Sequence, residues 1–143
     1  MSKYATQAYK NVGVNTAVEG ATPHKLVLML YDGLLRQLRL ARAHMQKGDL
    51  GQKASCVSKA ISIIDQGLRA SLNDEKGGEI ALRLRALYDY SERQLVHANA
   101  RNDVAVIDEV IALFEPLRAA WHGIAGEVGE PPASQAAPRG AVR

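Results

Sequence analysis

The chain has 143 residues, of which 47% are hydrophobic and 23% charged, and its 18 basic and 15 acidic side chains leave a net charge of +3. This composition is that of one globular domain with a sizeable core, and the longest apolar run, residues 26–31, is too short to span a bilayer. The first residues lack a signal-peptide core and the single cysteine, Cys56, cannot form an internal disulfide, so we expect a soluble cytoplasmic protein.

The first predicted helix follows an N-terminal segment of residues 1–22. It begins at Thr22-Pro23, where a capping hydroxyl precedes a proline at the first helical position. It should end at Lys47-Gly48, because glycine commonly terminates a helix.

The middle of the chain predicts two further helices. Asp49 caps the second, which runs to about Leu72, and the NDEKGG stretch at residues 73–78 predicts a turn. The third helix opens with Glu79, a favourable charge near a helix N-terminus, and stops around Arg101.

Asp103 caps the fourth helix, which reaches about Gly126, and the proline- and alanine-rich residues 127–143 are expected to be disordered. All four helices carry residues at the 4,3 spacing of a bundle seam. The seams are Val27, Tyr31, Leu34, Leu38, Ala41 and Met45; Ala54, Val57, Ile61, Ile64 and Leu68; Ile80, Leu84, Leu87, Ser91, Leu95 and Ala98; and Ile107, Ile111, Phe114, Leu117, Trp121 and Ile124. Since the loops are short, residues 23–126 predict an all-α, antiparallel, up-down-up-down four-helix bundle.

The first and fourth helices have opposite charges. Residues 23–47 carry five basic side chains and one acidic one, whereas residues 103–126 carry one basic and four acidic side chains. These helices touch in an up-down-up-down bundle, so we expect a mild pairing bias. The basic net charge also leaves a nucleic-acid-binding helical bundle as an alternative function.

Part of the sequence repeats with a shift of 57 residues. LYDGLLRQLRLARA at residues 30–43 and LYDYSERQLVHANA at residues 87–100 agree at eight of fourteen positions, by duplication or by shared constraint. Asp32 and Asp89 match, and each lies four residues before an arginine with which it should form a surface ion pair. An arginine keeps a carboxylate ionised, so neither aspartate is expected to be catalytic.

The histidines suggest a second alternative. HMQKG at residues 44–48 resembles the phosphorylation site of histidine phosphotransfer domains, which are also four-helix bundles, with His44 as the phosphorylated residue. In those domains the helix continues past the glycine, whereas Gly48 is predicted to end one. The sequence has no Glu-x-x-His pair, phosphate loop or nucleophile elbow, so we expect no enzyme activity, no metal and no cofactor.

The first helix has more apolar residues than one seam uses. The surplus positions, with two from other helices, are Leu28, Leu35, Leu40, Leu72 and Val110. A helix apolar on two faces needs two coverings, one of which can be the N-terminal segment and the other a partner. Gly33 and Gly67 inside helices indicate either close helix approach or the floor of a groove.

Several short motifs occur together in one order. They are T-x-x-x-x-x-T-P at residues 16–23, LYDG at 30–33, GGEIA at 77–81, LYDY at 87–90 and an Ala-Trp pair at 120–121. With this combination the chain resembles the FliS-type flagellin export chaperones over about residues 4–126. The basic charge and the Pro/Ala-rich tail depart from that pattern.

The resemblance implies a cytoplasmic, non-enzymatic chaperone that binds the disordered C-terminal segment of flagellin, prevents premature polymerisation and helps deliver it to the flagellar type III export apparatus. The implied partners are this segment and a component of the export gate, with a homodimer left open and neither nucleic acid nor membrane insertion expected. The residues expected to bind the client or to cover its groove are Tyr4, Tyr9, Val14, Leu28, Leu30, Tyr31, Leu35, Ile80, Leu84 and Tyr88. Several of these must belong to the bundle core instead.

Overall fold

The computed structural model describes residues 22–124, apart from the side chain of Asp74. Its helices are α1 (Pro23–Lys47), α2 (Leu50–Ser62), α3 (Asp74–Arg101) and α4 (Val104–Gly123), and α2 continues as a π-helical segment, Ile63–Leu68. Since α1 and α3 each pack against α2 and α4, the predicted up-down-up-down bundle is confirmed. The covering segment and the tail lie outside the described residues, so the division of the chain at 22 and 126 stays a prediction.

The helix ends follow from local polar groups. Thr22, Asp49 and Asp103 each accept a backbone N–H bond from the first turn of the helix that follows, as predicted. A side-chain cap of this kind stabilises a helix by about 1 kcal/mol. Gly48 ends α1 in the left-handed conformation, with a φ of 77°.

The start of α3 differs from the prediction. Asn73 caps a helical turn that begins at Asp74, and Gly78 interrupts the helix with φ 54° and ψ −128° before it resumes at Glu79. The stretch at 73–78 is therefore partly helical, and only its end makes the predicted break. Gly78 makes this break because a residue with a side chain is strained at that positive φ.

The predicted seams form one core, but two residues counted as surplus are buried and two residues within the seams are exposed. Leu35 and Val110, predicted to be surplus, are 3% and 0% exposed, because α1 and α4 each have a neighbour on two sides. Ile80 was expected in a seam but is 70% exposed, and Ile124 is 38% exposed. The buried apolar residues are Leu26, Leu30, Tyr31, Leu34, Leu35, Leu38, Ala41, Met45, Cys56, Val57, Ala60, Ile64, Leu68, Ala81, Tyr88, Leu95, Ala98, Ile107, Val110, Ile111 and Phe114.

Ion pairs join α1 to α4, which confirms the predicted bias. Arg39 binds Glu115, Arg42 binds Asp108 at 2.7 Å, and Asp32 accepts a bond from Arg118 at 2.7 Å. The prediction that Asp32 pairs within its own helix was wrong, because the acidic and basic faces of two helices meet beside it.

Asp89 departs from the prediction in the same way. It binds Arg69, which follows the π-helical segment, at 2.6 Å. Arg69 also binds Asp65 and Glu92, so one guanidinium connects the end of α2 to α3.

Candidate functional site

An apolar groove of about 310 Å³ lies at the end of the bundle where α1 and α3 begin and α2 and α4 end. The antiparallel order of the helices brings these four ends together. The groove is lined by Pro23, His24, Val27, Tyr31, Ser71, Leu72, Asn73, Lys76, Gly77, Ile80, Ala81, Leu84, Tyr88 and Trp121.

The wall that α3 contributes depends on the paired glycines before it. A Cβ at Gly77 would lie 2.8 Å from the Cβ of Ala81, so a side chain there requires a shift. Gly78 then turns the chain into the long part of α3, which places Ile80 on the exposed rim and Leu84 partly buried below it. The GGEIA motif therefore shapes the groove.

Two tyrosines lie beneath the groove and belong to the sequence repeat. The hydroxyl oxygens of Tyr31 and Tyr88, 57 positions apart, are 3.0 Å from each other. Both rings contact Phe114, with centroid distances of 6.2 and 6.1 Å. Burial raises the pKa of both tyrosines above the usual value, so they remain neutral and serve as a hydrogen-bonded part of the core.

A stacked aromatic pair closes the groove between α1 and α4. The rings of His24 and Trp121 are 4.7 Å apart and nearly parallel, and Trp121 Nε1–H donates to the backbone oxygen of His24 at 2.9 Å. His24 is 6% exposed, and neither ring nitrogen makes a hydrogen bond of good geometry to another described residue. Burial lowers the pKa of this imidazole, which is therefore neutral near pH 7. Sequence reasoning missed His24, since nothing in its spacing distinguishes a buried histidine from an exposed one.

The structure brings four of the residues implied by the resemblance together in the groove, namely Tyr31, Ile80, Leu84 and Tyr88. Leu30 and Leu35 are buried in the core, and Leu35 also lines a separate polar cleft formed by the ion pairs of α1 and α4. Leu28 is partly buried and does not line the groove. Tyr4, Tyr9 and Val14 lie outside the described residues.

The other candidate chemistry is not assembled here. His44 lies at the opposite end of the bundle, near the C-terminus of α1, with its Nδ1 3.8 Å from an oxygen of Asp49. A phosphate there would meet the negative end of the helix and a carboxylate. Within residues 22–124, no cluster of three or more His, Cys, Asp or Glu side chains could hold a metal ion.

Comparison with known proteins now decides the family. The family model described as flagellar protein FliS matches residues 5–128 of the chain. The chain belongs to the FliS family. This confirms the resemblance seen in the motifs, and FliS proteins are chaperones, not enzymes.

Curated FliS relatives cover most of the chain. It is 48% identical to the flagellar secretion chaperone FliS of Salmonella typhimurium over 118 residues, which are 82% of this chain and 87% of the relative. It is 46% identical to that of Escherichia coli over 116 residues, or 81% and 85%, and 40% identical to that of Bacillus subtilis over 114 residues, or 80% of each. None of the helices within residues 22–124 is long and apolar enough to cross a membrane.

Proposed function

We propose that this FliS-family chain is a cytoplasmic export chaperone that binds the disordered C-terminal segment of flagellin. It keeps the segment from polymerising prematurely and assists its delivery to a component of the flagellar type III export gate. The observation that carries the proposal is the apolar groove, whose rim residue Ile80 is 70% exposed. An exposed apolar groove in a protein of a chaperone family favours an apolar peptide as its occupant.

The size of the groove limits what it can hold. A volume of about 310 Å³ accepts a few side chains of a helical or extended segment, and not a folded domain. A disordered client spends a few kcal/mol on ordering when it binds, so it must also bury surface beyond the groove. The groove therefore acts as the place where one short apolar stretch of a longer client is held.

The N-terminal segment is proposed to cover the same groove in the absence of client. Pro23, the first residue of α1, lines the groove, so α1 begins at the edge of the groove. Tyr4, Tyr9 and Val14 would supply the apolar side chains. A client must then displace this segment. The apparent affinity for client is the intrinsic affinity multiplied by the fraction of molecules whose groove is uncovered.

Calorimetric titration with a synthetic peptide of the C-terminal segment of the same bacterium's flagellin tests the function. Ile80→Asp places a charge on the groove rim and should weaken binding at least tenfold, on the order of 1.4 kcal/mol. Leu82→Asp is the matched control, because Leu82 is 65% exposed on the same helix but does not line the groove. The affinity of the Leu82→Asp variant for the peptide should stay within about twofold of the wild-type affinity.

Both substitutions are at exposed positions, so circular dichroism should show unchanged helix content. Failure of the wild-type chain to bind the peptide at micromolar concentration would remove the proposed function. Equal losses in Ile80→Asp and Leu82→Asp would place the client elsewhere on the bundle.

A further inference from the structure

The imidazole of the histidine in the groove lacks a well-formed hydrogen bond within the described part of the chain. His24 lines the groove and is 6% exposed, yet neither Nδ1 nor Nε2 makes a hydrogen bond of good geometry to any residue between 22 and 124. A neutral imidazole has one N–H donor and one acceptor nitrogen. Buried side-chain polar atoms are nearly always hydrogen-bonded in native proteins, so the imidazole nitrogens in this groove are available to a polar group of a bound molecule.

The neighbouring polar groups are already engaged. Trp121 stacks on the imidazole and donates its indole N–H to the backbone oxygen of His24. Ser71 donates its hydroxyl to the oxygen of Leu68 at 2.8 Å, and Asn73 accepts two backbone N–H bonds at the start of α3. His24 therefore stands apart among these polar side chains of the groove.

We propose that His24 is the polar anchor of the groove, and that the bound client segment places an uncharged hydroxyl or carboxamide side chain against its imidazole. This inference rests on the proposed function, because the occupant is the client segment. An uncharged group fits because Val27, Leu72 and Leu84 make the wall largely apolar, with Lys76 exposed to solvent, and an unpaired charge is costly to bury there. The groove then recognises one Ser, Thr, Asn or Gln among apolar residues.

Replacement of His24 by Phe separates this role from a structural one. Phenylalanine keeps an aromatic ring against Trp121 but removes the two unbonded nitrogens. The free protein should therefore be at least as stable as wild type, because no buried polar atom is left without a partner. The same change should weaken client binding about tenfold, because the client group then loses its partner. If His24 only packed against Trp121, the replacement would leave client binding unchanged.

The test is a double-mutant cycle measured by calorimetry. The wild-type chain and His24→Phe are titrated with the flagellin C-terminal peptide and with versions in which each Ser, Thr, Asn or Gln is changed singly to Ala. We expect one peptide position at which the change to Ala weakens binding to the wild-type chain about tenfold. The same peptide change should leave binding to His24→Phe unaltered. Leu84→Ala is the control, since it should weaken the binding of every peptide by the same factor.

His24→Gln provides a second variant that keeps a donor and an acceptor, and it should bind better than His24→Phe to the unchanged peptide. If the peptide binds wild type but no position couples to residue 24, the anchor is overturned while the proposed function stands. If the peptide does not bind wild type, both are overturned.

Discussion

His24 should make the stability of the bundle depend on pH. Its folded pKa lies below the ordinary value of 6.5 because burial disfavours the charged form; the nearby backbone of Trp121 opposes this lowering, and His122 adds to it. The unfolded chain therefore takes up a proton on this side chain at a higher pH than the folded chain does. Protonation of His24 favours unfolding. The contribution of His24 to the free energy of unfolding is therefore at its maximum above about pH 6.5 and declines as the pH falls through the folded pKa.

Urea unfolding at several pH values between about 8 and 5 checks this expectation, with His24→Phe as the control that removes the titrating group. The free energy of unfolding of wild type should fall more steeply below about pH 6.5 than that of the variant, and their difference should be constant at higher pH. Parallel curves over the whole range would show that residue 24 does not take up a proton on unfolding.

Single residues also show where sequence reasoning reached its limit. The spacing of Asp32 and Asp89 before arginines is real, but their partners come from other helices, namely Arg118 and Arg69. A spacing of four identifies neighbours on one helix and says nothing about a closer side chain across an interface.

The elements themselves were largely predictable because their ends carry local chemical signals. Caps at Thr22, Asp49 and Asp103 operate within one turn, so they appear in the sequence. The π-helical segment Ile63–Leu68 has no such signal, and its Ile63 packs 3.6 Å from the position that a Cβ of Gly33 would occupy. This contact supports close helix approach as the reason for Gly33, which does not line the groove.

The geometry of α3 depends on the break at Gly78. Gly78→Ala forces a side chain into φ 54° and should lower the free energy of unfolding by about 1–3 kcal/mol. Client affinity should fall as well, because Ile80 and Leu84 follow the break. Gly33→Ala is the contrasting variant, since 3.6 Å is an ordinary contact and the helix gains up to about 1 kcal/mol. Thermal unfolding should move in opposite directions for the two, and a stable Gly78→Ala would contradict the role of the break.

In the whole molecule, the repeat corresponds to two helical hairpins that meet at the bonded hydroxyls of Tyr31 and Tyr88. The bundle and its charge pairing follow from patterns that extend along entire helices, and both were predicted. The position of the groove was not, because an apolar seam residue faces either the core or an opening according to how neighbouring helices diverge. Ile80 shows this, since it continues the seam of α3 but is 70% exposed.

The position of the groove beside the start of α1 predicts how the N-terminal segment affects client binding. Deletion of residues 2–15 should raise the affinity for the flagellin peptide, because the client no longer competes with a tethered segment at high effective concentration. Changing Tyr4 and Tyr9 together to Ser should act in the same direction and more weakly. The control is the unfolding midpoint, which should change little because the buried core within residues 22–124 lies between Leu26 and Phe114. A synthetic peptide of residues 2–15, added to the shortened chain, should compete with the client, whereas unchanged affinity after deletion would show that this segment does not cover the groove.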